Sequence, residues 1–421
     1  MTSRGIASAS RLAGGGAAAV RLTGVDAARG LALLGMMATH ILPTFESGPQ
    51  LTPTWVGLAF SGRAAALFAV LAGVGLALST GKEQPLQGRP LWAARRGIAL
   101  RALVVGAVGL ALGGLEVNIA VILLHYAVLF LCVLPFIGLR PGQLWGFAAA
   151  WLLASPVLAY LLRPWLLAAD PPLRLDHNPG WEDLSTPGRL FGDLFLTGYY
   201  PVLQWLTYLI IGLAIGRMAL SRTAVPALLV AAGAAAAVLA KWLSGVFLED
   251  WGGRAALQEA LGDPSYPLRS LLQVTLAGID QSGSGWWLAS SAPHSGTTLD
   301  LLHTSGVAAA VLGLCLLLGR LAEWVELDLL LPFRGAGAMT LSLYAAHIAV
   351  MASLYGRPLP VGWTVEGVYW AQALAVLVLG GAFAALSWRG PLEWAGHGAS
   401  QLGRGQLARG QLGRGGGNAG T

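Results

Sequence analysis

Residues 24–43 read GVDAARGLALLGMMATHILP. The stretch is long enough to cross a bilayer as a helix, yet it holds Arg29 and His40. A charge near mid-bilayer costs about 3 kcal/mol or more, so an ionisable residue there is a functional candidate by default. Eleven steps of about 100° bring the two residues within about 20° of one face, with a rise of roughly 16.5 Å between them. Arg29 thus marks the inner end and His40 the outer end of one helical stripe. Gly30, Ala32, Gly35, Met36 and Met37 lie between them, small or flexible residues suited to lining a narrow channel. Asp26, one turn before Arg29, reads as its ion-pair partner or as a helix cap. Snorkelling is the structural alternative for Arg29, and an interfacial hydrogen-bonding role is the one for His40.

The rest of the chain agrees with a membrane setting. Of 421 residues, 55% are hydrophobic and 11% are charged, and mean hydropathy is +0.64. Soluble domains run near about 25% charged residues, so a water-facing surface cannot be covered. The expected fold class is all-α, a polytopic membrane protein with about ten transmembrane helices. They fall near 24–43, 55–80, 91–114, 117–138, 142–163, 199–219, 223–247, 298–320, 335–356 and 363–388. Arginines, Arg217 and Arg222 among them, cluster in alternate connections. That bias places both termini in the cytoplasm and the long connections 164–198 and 248–297 outside. The surplus of 26 Lys+Arg over 20 Asp+Glu records the same bias, and no nucleic-acid partner is expected. Residues 1–22 are expected as a disordered lead, 23–395 as the transmembrane domain, and 396–421 as a disordered basic tail repeating QLGRG, QLARG, QLGRG. Cys132 and Cys315 lie in apolar runs and read as packing thiols. Trp165, Trp181, Trp251, Trp286 and Trp287 read as interfacial belt residues, with stacking on a sugar as the alternative.

Further ionisable residues fall at the depth of His40 or near it: Arg63, His125, His303 and His347. One buried imidazole is commonly a core hydrogen-bonder; several at one level point to a polar pocket. Their spacing is not that of a zinc site, and neither a metal nor a bound cofactor is expected. On the inner side Arg95, Arg96 and Arg101 crowd the start of the third stretch. Either they anchor the helix, or they hold a polyphosphate through bidentate donors. No Walker phosphate loop, GxGxxG or GxSxG stands in a usable context.

RLTGVDAARGLALLGMMATH, residues 21–40, resembles the first-helix signature of the heparan-α-glucosaminide N-acetyltransferase-like membrane proteins, which group with the acyltransferase-3 proteins. Arg29 and His40 match its basic residue, ten intervening residues and histidine. GRAAALFAVLAGVGLAL, from Gly62, resembles the second helix of that group. Arg95 and Arg96 resemble its cytoplasmic arginine cluster, without a strict Arg-x-x-Arg spacing. AMTLSLYAAHIAV, from Ala338, resembles the late Ser-Leu-Tyr-x-x-His helix, and GPLEW, from Gly390, the terminus of bacterial relatives. The resemblance implies a plasma-membrane acyltransferase that moves an acyl group, acetyl above all, from cytoplasmic acyl-CoA to an extracytoplasmic acceptor such as a cell-envelope glycan. It implies that Arg29 and the third-helix arginines hold the CoA end and that His40 acts at the acceptor end, as a general base or through an acyl-histidine. A transporter or glycolipid flippase coupling through buried His and Arg is the alternative, although no repeat relates the two halves. Acceptor, acyl length and oligomeric state stay open.

Overall fold

The computed structural model describes residues 22–48, 51–325 and 330–406. Residues 1–21 of the expected lead 1–22 and residues 407–421 of the expected tail 396–421 lie outside the described residues. The regular elements among the described residues are all helices, with one isolated bridge between Phe45 and Pro53 and no strand. The helices are α1 (Thr23–Ile41), α2 (Trp55–Phe60), α3 (Arg63–Ser79), α4 (Gly88–Gly113), α5 (Leu123–Cys132), α6 (Pro141–Leu167), α7 (Pro187–Gly192) and α8 (Val202–Gly216). They continue with α9 (Ala224–Gly245), α10 (Gly253–Leu261), α11 (Leu268–Val274), α12 (Thr298–Trp324), α13 (Leu331–Ala338), α14 (Thr340–Leu354), α15 (Val365–Ala385) and α16 (Pro391–Gly403).

Six of these helices are long and apolar enough to cross a membrane, or up to eight spans if each bent pair counts as one. The expectation of ten is therefore too fine, for three physical reasons. The stretch 117–138 yields only the ten-residue α5 and a short 3-10 turn, because 117–122 runs irregularly. The stretch 335–356 is broken, with α13 meeting α14 at 82°, and 199–219 yields only the 15-residue α8, which meets the preceding segment Pro187–Thr197 at 58°. Finally, α1 carries Asp26, Arg29 and His40, and an apolar exterior is not required of it. Most of its residues are buried among α3, α12, α13 and α15.

Close packing of small residues explains that position. A Cβ on Gly24 would meet the Cys315 backbone at 2.5 Å, and Gly30 sits against the Phe333 backbone, the small-residue contact by which helices pack in lipid. Leu33 and Met37 are fully buried and Met36 nearly so, while Gly35 is covered by Phe60 and Ala64. The stripe between Arg29 and His40 is thus filled with packed side chains, not open as a channel.

Two further features depart from the sequence reading. Arg217, expected in a cytoplasmic loop, is 2% exposed. Its Nη1 donates to the carbonyls of Ala77, Thr80 and Lys82, and its Nη2 to Ile137 O and Thr80 Oγ1. It clamps the turn after α3 to the end of the α5 segment. The connection 248–297 is also folded, with Leu248, Leu257, Leu268, Leu276, Trp287 and Ala292 forming a second small core. Trp287 is a core residue of it, whereas Trp165, Trp181 and Trp251 are exposed. At the C-terminal end α16 packs on α4, so the boundary expected at residue 396 falls inside a helix.

Candidate active site

His40 and His347 meet. His40 Nδ1 lies 3.1 Å from His347 Nε2, with the rings nearly parallel and their centroids 5.3 Å apart. His347 Nδ1 lies 2.9 Å from Gln372 Oε1 on α15, and the Gln372 amide nitrogen faces Met351 Sδ at 3.5 Å. A carbonyl oxygen only accepts, so His347 carries its proton on Nδ1 and presents a lone pair at Nε2. His40 must then donate from Nδ1, which leaves His40 Nε2 as the basic nitrogen of the pair. His347 is 2% exposed and His40 half-buried: the inner ring is held and the outer one is accessible.

α14 owes its placement to GPLEW. The first backbone N–H groups of a helix have no partner within it, and here Glu393 supplies one. Its Oε1 accepts from Leu341 N at 2.7 Å and Ser342 N at 3.2 Å, and its Oε2 accepts from the Ser342 hydroxyl. α14 also carries Tyr344, whose ring meets His40 edge-on at 6.3 Å. The hydroxyls of Tyr344 and Tyr200 both donate to Ala120 O at 3.3 Å. Asn178 holds that irregular segment, accepting from Val121 N at 2.8 Å and donating to Ile119 O at 2.7 Å. Tyr200 in turn meets His125 edge-on at 5.7 Å and His294 at 6.1 Å. His125 is fully buried, and a Cβ on Gly198 would lie 2.9 Å from its Nε2 and 3.1 Å from Asp193 Oδ1. So His125 borders the histidine pair through two tyrosines without touching it.

The arginines separate into groups. Arg29 donates to Asp26 Oδ1 at 3.0 Å and to Leu71 O at 3.3 Å, with its guanidinium lying over Gly75 of α3. Arg101 is within electrostatic reach of Arg29 and of Glu393 and sits beside Gly396 of α16. Arg95 points elsewhere: it donates to Leu134 O at 3.1 Å and Pro135 O at 3.3 Å and stacks on Trp92. Arg96, exposed, joins Arg95 along a groove between α4 and the end of the α5 segment. Arg63 and His303 form a third locus, with Arg63 Nε donating to His303 Nε2 at 3.1 Å and His303 Nδ1 facing Ala237 O at 2.9 Å. Both His303 nitrogens are therefore engaged.

Tyr344 and Glu393 fall inside the motifs AMTLSLYAAHIAV and GPLEW, whereas Gln372 and Asp193 stand in no motif and are missed by sequence reasoning. Gln372, inside the last apolar stretch, carries no charge to mark it. An amide still has to find a partner in such a place, and that was the available signal. Among the described residues no three His, Cys, Asp or Glu side chains converge as metal donors.

The described helices, several of them long and apolar enough to cross a membrane, thus bring a histidine pair together on α1 and α14. The family model for heparan-alpha-glucosaminide N-acetyltransferase, catalytic, matches residues 21–245. That is more than half of the chain, and the chain belongs to this family. It is a multi-pass membrane protein of N-acetyltransferase type. No curated protein matches it.

Proposed function

We propose that the protein transfers an acetyl group from acetyl-CoA, bound at the arginine-rich cytoplasmic end, to an amine or hydroxyl of an envelope glycan at the outer end, in the plasma membrane. The observation that carries this reading is the His40–His347–Gln372 chain, which leaves a basic nitrogen on an accessible ring. His40 Nε2 takes the proton from the acceptor as its lone pair attacks the thioester carbonyl. The C–S bond breaks, and the CoA thiolate leaves and recovers the proton. His347 and Gln372 do not touch substrate; they fix which nitrogen of His40 is basic. At the other end, Arg101 lies within electrostatic reach of Arg29 and of Glu393, and a bound phosphate would offset the repulsion between the two guanidinium groups. Filled side chains separate the two ends, so transfer requires Leu33, Met36 or their neighbours to move.

Purified protein should release free CoA from acetyl-CoA only when a glucosamine-bearing acceptor is supplied, and His40→Gln should abolish the release. Near-native release by His40→Gln would remove the proposal. The two bent pairs favour one other reading, because broken helices line transport paths. Acceptor-dependent uptake into vesicles with no CoA release would establish it.

A further inference from the structure

At the arginine-rich end, α4 and the end of the α5 segment border an open groove of about 460 Å³, lined by Trp92, Arg95, Arg96, Ala99, Leu131, Leu134 and Pro135. Two guanidinium groups stand on an otherwise apolar wall, with no carboxylate among the lining residues. Arg95 is fixed by the carbonyls of Leu134 and Pro135 and by Trp92, 4.9 Å from its Cζ. Arg96 is exposed, and its side chain makes no hydrogen bond or ion pair with another described residue.

The groove continues into a stripe. Trp92, Leu103 and Leu131 are 63%, 62% and 40% exposed, and Trp92, Arg96, Ala99 and Leu103 follow helical spacing along α4, a helix apolar and long enough to span. In a bilayer this face meets lipid, with Trp92 at the interface. A ligand that fits carries negative charge at one end and apolar chain at the other, the chain running outward along α4. Acetyl-CoA has the charge without the chain, and Arg29 and Arg101 lie in a different set of contacts.

We infer that this groove binds the headgroup of an anionic phospholipid of the cytoplasmic leaflet, with Arg95 and Arg96 on its phosphate and Trp92, Leu131 and Leu134 against its acyl chains. The inference is independent of the proposed acetyl transfer. Phosphate in a partly desolvated setting favours guanidinium over ammonium, since both oxygens are met in one plane.

Native mass spectrometry of the full chain, released from vesicles of equal phosphatidylglycerol and phosphatidylcholine, tests it. The wild type should retain phosphatidylglycerol preferentially. Each of Arg95→Gln and Arg96→Gln should reduce that preference about fivefold, the usual weight of one cation at an anionic surface. Leu131→Trp, which fills the apolar wall and keeps both arginines, should reduce retention as well. Retained preference in the double Arg95→Gln, Arg96→Gln variant would overturn the inference. So would a tenfold loss of acetyl-CoA affinity in that variant, which would return the two arginines to the donor.

Discussion

His40 Nδ1 and His347 Nε2 stand 3.1 Å apart although 307 positions separate them in the chain. If His40 is the base and His347 its orienter, their removal has unequal effects. His40→Gln should lower acetyl transfer by a factor on the order of 10²–10⁴, with acetyl-CoA affinity intact. His347→Ala removes one hydrogen bond, about 1–1.5 kcal/mol, so kcat should fall about tenfold and the pH–rate profile should move. Steady-state kinetics of the two variants measure this; an equal, complete loss in both would make His347 the base.

Gly75 gives a test of the donor end that leaves every charge in place. A Cβ there collides with Arg29 Nη2, so Gly75→Ala must displace the guanidinium. Acetyl-CoA binding should weaken by about 1.5–3 kcal/mol, the range for charged hydrogen bonds, as it should in Arg29→Ala. Titration calorimetry showing wild-type affinity in both variants would take Arg29 out of the site.

Glu393 secures the start of the helix that carries His347. Glu393→Ala leaves the Leu341 and Ser342 amides without their acceptor and should cost about 1.5–3 kcal/mol of stability, read as a lower melting temperature. Glu393→Gln keeps one acceptor and should lose about half as much. Unchanged melting in both would mean that the contact does not hold α14.

His294 lies in the connection before α12, where burial pushes its pKa down to about 4. The folded protein holds it neutral while the unfolded chain protonates it near about pH 6.5. Stability is therefore level above about pH 6.5 and declines as pH falls from there towards about 4. The ring is partly accessible, so the decline attributable to it is about 1–2 kcal/mol. His294→Asn, which tolerates the residue's φ of 62°, should flatten the melting curve over that window. A slope unchanged from wild type would assign the acid sensitivity to other groups.

The arginine bias predicts that Glu83 and Glu182, both exposed, lie on opposite sides of the membrane. Single cysteines at these positions, in a chain with Cys132→Ala and Cys315→Ala, should label oppositely with an impermeant thiol reagent. Equal labelling in intact cells would overturn the orientation.

Reading charge against depth in the sequence singles out His40, His347 and Arg29 as candidates, because an ionisable residue in an apolar stretch is visible without a structure. Their pairing was not visible. Helix periodicity places His40 above Arg29 on one helix but says nothing about which later helix faces it, so His303 and His347 were equivalent candidates. The structure gives His303 to Arg63 and His347 to His40. The 82° bend between α13 and α14 also escaped, since hydropathy averages over a break of one residue. Arg95 and Arg101, six positions apart, looked like one cluster, yet six residues turn a helix by about 240°, and they face different neighbours.

The family match ends at residue 245, and the two ends of the histidine chain fall on either side of that limit. Arg29 and His40 are inside it; His347, Gln372 and Glu393 are beyond it. The proposed base is thus inherited with the matched portion, while the direction in which it offers its lone pair is specified by a separate stretch of chain. Changes confined to the last hundred residues can therefore retune proton transfer, or silence it, while the signature by which the family is recognised stays untouched.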